Sequence, residues 1–169
     1  MDFYSEISDA TASRDSSFFT PGRYVVRVDD WKAGATRAPA ERPFFALETT
    51  ILASDNHDLH PIGSQATCMQ MKDTDMAPKN MKAYLMGVLG IEASQVTPDL
   101  ARKVLSPDPD TGKSPVAGLV IDVVAVGITT RAGNPFTKCS FSSRDPEAPI
   151  PELAHRSRAA AESESVVPF

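Results

Sequence analysis

Three aromatic residues, Trp31, Phe44 and Phe136, stand among eight cations in this chain: Arg23, Arg27, Lys32, Arg37, Arg42, Lys72, Arg131 and Lys138. Flat rings beside fixed positive charge can stack on nucleobases and follow a phosphate backbone, which is the chemistry of single-strand binding. Each stacked base is worth ~1–3 kcal/mol, and each neutralised phosphate adds about 0.7 to the salt slope for a single strand. Phe44 and Phe45 are adjacent, so a strand points them to opposite faces: one serves the core and the other needs a different use. Trp31 could equally be a packing residue, Phe136 could cap the end of a barrel, and loop cations are mostly solvated. Convergence on particular loops, rather than any single residue, carries the reading.

Other chemistry is weaker. His57 and His60 lie with Asp55 and Asp58 in one turn-like cluster, and a structural metal would want four well-placed ligands. His155 falls beside Arg156 and Arg158 in the C-terminal tail, where a catalytic base could not be held rigidly. The chain has no glycine-rich phosphate loop, nucleophile elbow or His-Glu metal helix. Catalytic residues, a metal and a cofactor are therefore not expected, and the chain is not expected to be an enzyme.

The elements that must position the rings and cations follow from periodicity. Tyr24, Val26 and Val28 alternate with Arg23, Val25, Arg27 and Asp29, the pattern of a half-buried strand, and Trp31 continues the second, more polar face. Lys32 to Pro43 reads as a long loop, and Phe44 to Leu52 and Gln65 to Lys72 read as the next two strands. A helix opens at Asp75 to Pro78, places Met81, Leu85, Val88 and Leu89 on one face, and stops at Gly90. Thr97 and Pro98 start a second short helix. Val116 to Thr130 is the strongest strand, followed by a turn at Arg131 to Pro135 and a last strand, Phe136 to Ser143. Three strands, a helix and two strands (β-β-β-α-β-β) predict a mainly β fold with one or two helices. That is the connectivity of an OB-fold, a five-stranded Greek-key barrel that binds oligonucleotides on its second and third strands and on its first-second and fourth-fifth loops.

Composition places limits on this. A chain of 169 residues holds one buried domain plus tails. The expected organisation is a flexible N-terminal arm over 1–20, an OB domain over 21–145, and a proline-containing linker and interaction tail over 146–169. The net charge of −5 is carried by the ends: 1–20 sum to −3, 146–169 to −2, and 21–145 hold 14 charges of each sign. A neutral body can still present a basic groove if its cations are segregated. No segment approaches a membrane span, and the N-terminus lacks the order of a signal peptide. Two cysteines, Cys68 and Cys139, suit a reducing compartment as small strand residues. The expected location is cytoplasmic, in the host cytoplasm if the protein is viral.

The chain closes on Val166-Val167-Pro168-Phe169 after Glu162 and Glu164. With an OB-type body and a proline linker, this resembles single-stranded-DNA-binding proteins of phage and bacterial type, whose acidic tails end in a hydrophobic-Pro-Phe tip. Family tails usually carry a run of Asp, where this one has two Glu spaced by serine. The resemblance implies coating of single-stranded DNA without sequence preference during replication and recombination. It also implies recruitment of partner proteins through Glu162, Glu164, Pro168 and Phe169, and it leaves homo-oligomers open. Two alternatives are a non-catalytic protein-interaction module, such as a viral inhibitor of a host enzyme, and a virion or assembly protein.

Overall fold

Alternating apolar residues produce the longest strand of the computed structural model, which describes residues 17–155. The strands are β1 (Ser17–Phe18), β2 (Gly22–Ala35), β3 (Pro43–Ser54), β4 (Gln65–Met71), β5 (Val120–Thr129) and β6 (Pro135–Ser143). Between β4 and β5 lie helix α1 (Ala77–Leu89), a single 3-10 turn (Ala93–Gln95) and helix α2 (Pro98–Val104). One sheet runs in the order β1-β4-β3-β2-β5-β6. β2 to β6 pair antiparallel, and β1 adds in parallel to the outer edge of β4. The fold is mainly β with two α-helices, and the sheet is not closed into a barrel: β4 and β6 are not ladder neighbours.

The core fills from both layers. Val26, Val28, Leu47, Ile51, Ile121 and Val123 of the sheet pack with Met81, Leu85 and Val88 of α1. Fully burying a side chain of this size is worth about 1.5–3 kcal/mol, so this cluster is the main stabilising element. Helix α1 lies close on β6, because a Cβ on Gly87 would fall on the carbonyl of Phe141. Gly90 ends α1 in a left-handed conformation (φ 65°), its N–H returning to Met86 O. Thr97 caps α2 by accepting from Leu100 N at 3.2 Å.

Four boundaries differ from expectation. β2 continues through Ala35, because Lys32 to Ala35 pair with Ala46 to Pro43, and the loop shrinks to Thr36–Arg42. The final long strand starts at Val120 rather than Val116, because Val116 to Leu119 turn, with Gly118 at φ 97°. Ser17 to Thr20 belong to the fold rather than to an arm: Phe19 is buried, and the Thr20 amide donates to His60 Nε2 at 3.1 Å. Residues 146–155 are likewise attached. Arg144 reaches Pro149 O, His57 Nε2 bonds Leu153 O at 2.9 Å, and the His57 amide donates to His155 Nδ1 at 3.1 Å.

Candidate functional site

The β2–β3 hairpin end gathers the largest group of candidate residues. Gly34 pairs with Phe44, Phe44 pairs with Met71 of β4, and the Lys72 amide donates to Pro43 O at 2.9 Å. This register places Lys32, Arg37, Arg42, Phe44 and Lys72 around one end of the sheet. The Phe44 ring is half-buried and lies over Gly34, leaving no room for a Cβ there. Phe45 is also half-buried, and the Lys72 ammonium stands 4.1 Å from its ring centroid, a cation–π contact.

Three cations of this face, Arg27, Lys32 and Arg42, have acidic partners. Arg42 holds Asp73 through two hydrogen bonds, Nε to Oδ2 at 2.9 Å and Nη2 to Oδ1 at 2.8 Å. That bidentate pair ties the hairpin to the β4–α1 turn, raises the Arg42 pKa and lowers that of Asp73. Lys32 sits 2.7 Å from Glu48, and Arg27 sits 3.3 Å from Asp29, whose other oxygen accepts from Thr50 at 2.6 Å. Arg23 and Arg37 are exposed and have no acidic partner within 4.0 Å among the described residues. Arg23 lies nine residues before Lys32 on β2, roughly 30 Å along the strand, so it does not join the hairpin group.

Trp31 is not a stacking platform in this structure. It is 2% exposed and belongs to the core cluster. The cause is a register shift between Val28 and Asp30, which leaves Asp29 without a partner on β3. One extra residue reverses the alternation, so Trp31 turns to the face opposite Arg27.

A second region lies between the open edges of β4 and β6. A cavity of about 320 Å³ is lined by Phe18, Phe19, Cys68, Met69, Met71, Tyr84 and Phe136, among others. Phe18 and Phe136 are 57% and 52% exposed, so both present rings to solvent at its walls. A neighbouring cavity of about 480 Å³ is shared by Met76, Tyr84, Phe136 and Lys138. Arg131 is exposed in the β5–β6 turn. Met71 belongs to both regions: it lines the first cavity and pairs with Phe44. Of the candidates, the fold thus brings Phe136 and Lys138 to one groove and links that groove to Phe44 through Met71.

Phe18, Met69 and Met71 carry the groove without having been singled out by their sequence. The adjacent pair Phe18-Phe19 held a usable signal, the same one as Phe44-Phe45: one ring goes in (Phe19, 3% exposed) and one goes out. The histidine cluster has other work. His60 is wholly buried against Phe19 and Tyr24, accepting from Thr20, and burial lowers its pKa. Desolvation pushes the Tyr24 phenol up to about 12, and it donates to Thr20 O at 2.7 Å. Among the described residues there is no group of three or more His, Cys, Asp or Glu placed to hold a metal. No helix among them is long and apolar enough to cross a membrane. Glu162, Glu164, Pro168 and Phe169 lie outside the described residues. No protein-family model matches the chain, and no curated protein is similar to it in sequence.

Proposed function

We propose that this protein binds single-stranded DNA without sequence preference, on an OB-type sheet left open between β4 and β6. The strand order β4-β3-β2-β5-β6, with α1 between β4 and β5 along the chain, is consistent with that family of folds. The observation that carries the reading is Phe136: a half-exposed ring near the start of β6, above an apolar groove, with Lys138 lining the adjoining cavity. Bases stack on Phe136 and Phe18 and enter the groove, while Lys138, Arg131 and Arg37 meet phosphates. Lys72 and Phe44 extend the path to the hairpin. Glu162, Glu164, Pro168 and Phe169 recruit replication or recombination partners. Because Arg27, Lys32 and Arg42 are already paired, the electrostatic share of binding is small and the salt slope shallow.

The burial of Trp31 makes its fluorescence a poor reporter, so anisotropy of an end-labelled oligo-dT is the direct assay. Saturable binding at low salt, weakened by Phe136→Ala, supports the reading; no change in anisotropy at low salt ends it. A second reading, a non-catalytic module that docks an apolar segment of a partner protein, is favoured by the same groove and the compensated charges. It expects Phe136→Ala to abolish capture of a protein partner while oligo-dT never binds.

A further inference from the structure

Residues 146–155 form no helix or strand, yet this strap is held to the body at two points. Near its start, the Arg144 guanidinium donates to Asp122 Oδ1 at 2.7 Å and to Pro149 O at 3.1 Å. At its end, the strap meets the turn between β3 and β4. The His57 ring donates its Nε2–H to Leu153 O at 2.9 Å, and the His57 amide donates to His155 Nδ1 at 3.1 Å. The two imidazoles stand 5.2 Å apart between centroids, and His155 Nε2 lies 3.4 Å from Asp58 Oδ2. These bonds fix the protonation of His155. Its Nδ1 accepts from an amide only with a free lone pair, so the ring is neutral and carries its proton on Nε2, toward Asp58. His57 differs: its bond to Leu153 uses an N–H that neutral and charged imidazoles both possess.

We propose that His155 is a proton-operated catch: neutral, it holds the strap on the β3–β4 turn, and on gaining a proton it lets the end of the strap go. A proton taken up at Nδ1 turns the acceptor into a donor that faces the His57 N–H, so the bond becomes a clash of two donors. With His57 also charged, two cations face each other across the stacked rings. The neighbouring charges do not offset this. Asp58 faces Nε2, which carries a proton in both states, and its side chain is 86% exposed, so an ion pair there is worth little. The other titratable groups of the turn face the body: Asp55 accepts from the Arg23 amide at 2.9 Å, and His60 accepts from Thr20. On the strap, Glu152 is exposed, and Arg144 just before it is engaged with Asp122. Imidazole is the side chain that changes charge between about pH 5 and 8. Docking is therefore full at the upper end of that range and is lost as pH falls through it. The strap leads directly into 156–169, so opening it sets the partner-recruiting tail further from the sheet, a consequence that rests on the function proposed above.

NMR relaxation of the backbone amides of the full-length chain, titrated from about pH 7.5 to about pH 5.5, reads the strap with no DNA or partner present. A failure of the proposed function therefore leaves this test intact. At the upper end, residues 152–155 are expected to be as rigid as β2 and β3, with order parameters of about 0.85, and at the lower end to fall below about 0.6. The five antiparallel strands should keep their values. The midpoint of release should coincide with the titration of the His155 ring protons, and the His57 amide resonance should shift with it. His155→Asn, which cannot titrate, should abolish the response to pH. Four results overturn the proposal: a strap equally rigid at both ends of the titration, a strap already mobile at the upper end, release that follows the His57 ring instead of His155, or a response to pH that persists in His155→Asn.

Discussion

The hairpin face of β2 and β3 and the groove between β4 and β6 present opposite solutions to surface chemistry. The hairpin face is rich in charge, but Arg27, Lys32 and Arg42 are matched by Asp29, Glu48 and Asp73 at 2.7–3.3 Å. The groove has little charge, and its rings, Phe18 and Phe136, stand more than half exposed beside methionines. Exposed ion pairs are each worth little, commonly 0 to ~1 kcal/mol, so the hairpin charges order loops more than they stabilise the fold. Exposed rings over an apolar cleft are costly to leave in water and gain from being covered. Counting cations therefore overstates one region and overlooks the other: what matters is which charges remain uncompensated.

The sharpest way to break this contrast is Trp31→Ala. As a core ring it should cost about 3–5 kcal/mol of unfolding free energy, read by urea denaturation, with strand affinity per folded molecule unchanged. A stable variant that lost affinity would return Trp31 to the binding surface. Phe136→Ala should behave in reverse. It is expected to weaken oligo-dT by about 1–3 kcal/mol, roughly 5- to 150-fold, and to shift stability by less than ~0.5 kcal/mol. Equal affinity would remove the groove from the strand path.

Protonation offers a smaller probe, aimed at the strand β1 that supplies Phe18 to the groove. His60 Nε2 accepts from the Thr20 amide, which leaves the ring proton on Nδ1, an atom without a partner among the described residues. Burial lowers its folded-state pKa below the ordinary 6.5, so the unfolded chain binds the proton more readily. Stability is then full above about pH 6.5 and declines as pH falls from there toward the folded pKa, by at most ~1.4 kcal/mol per pH unit. Urea midpoints of wild type should fall more steeply than those of His60→Gln between about pH 7.5 and 5.5; parallel curves would clear His60. The smallest effect belongs to Arg37→Ala, expected to lower the salt slope of oligo-dT binding by about 0.7 with unchanged stability. An unchanged slope would place Arg37 away from phosphate.

Much of the architecture was legible because its signals are local. Pro98 behind Thr97 and the stop at Gly90 set helix ends within a residue or two. The order of strands and helices also followed from periodicity. The burial of Trp31 is not legible along the chain because a single unpaired residue, Asp29, inverts the alternation, and no local preference marks a bulge at that position. β1 was missed because a two-residue strand has too little sequence to show a period, and its existence depends on the free edge of β4. The pairing of Arg42 with Asp73, 31 residues later, is likewise invisible along the chain.

By itself, the sequence determined the mainly β class, both helices with their caps, the candidate cations and rings, and the tail chemistry. Each depends on neighbours a few residues apart, where sterics and hydrogen bonding are decided. Tertiary structure alone decided which rings face water, which cations are already spent on carboxylates, and that Cys68 and Cys139 line one cavity. Those outcomes turn on register and on which edges of the sheet come together, and contacts between distant residues form only when the whole core packs.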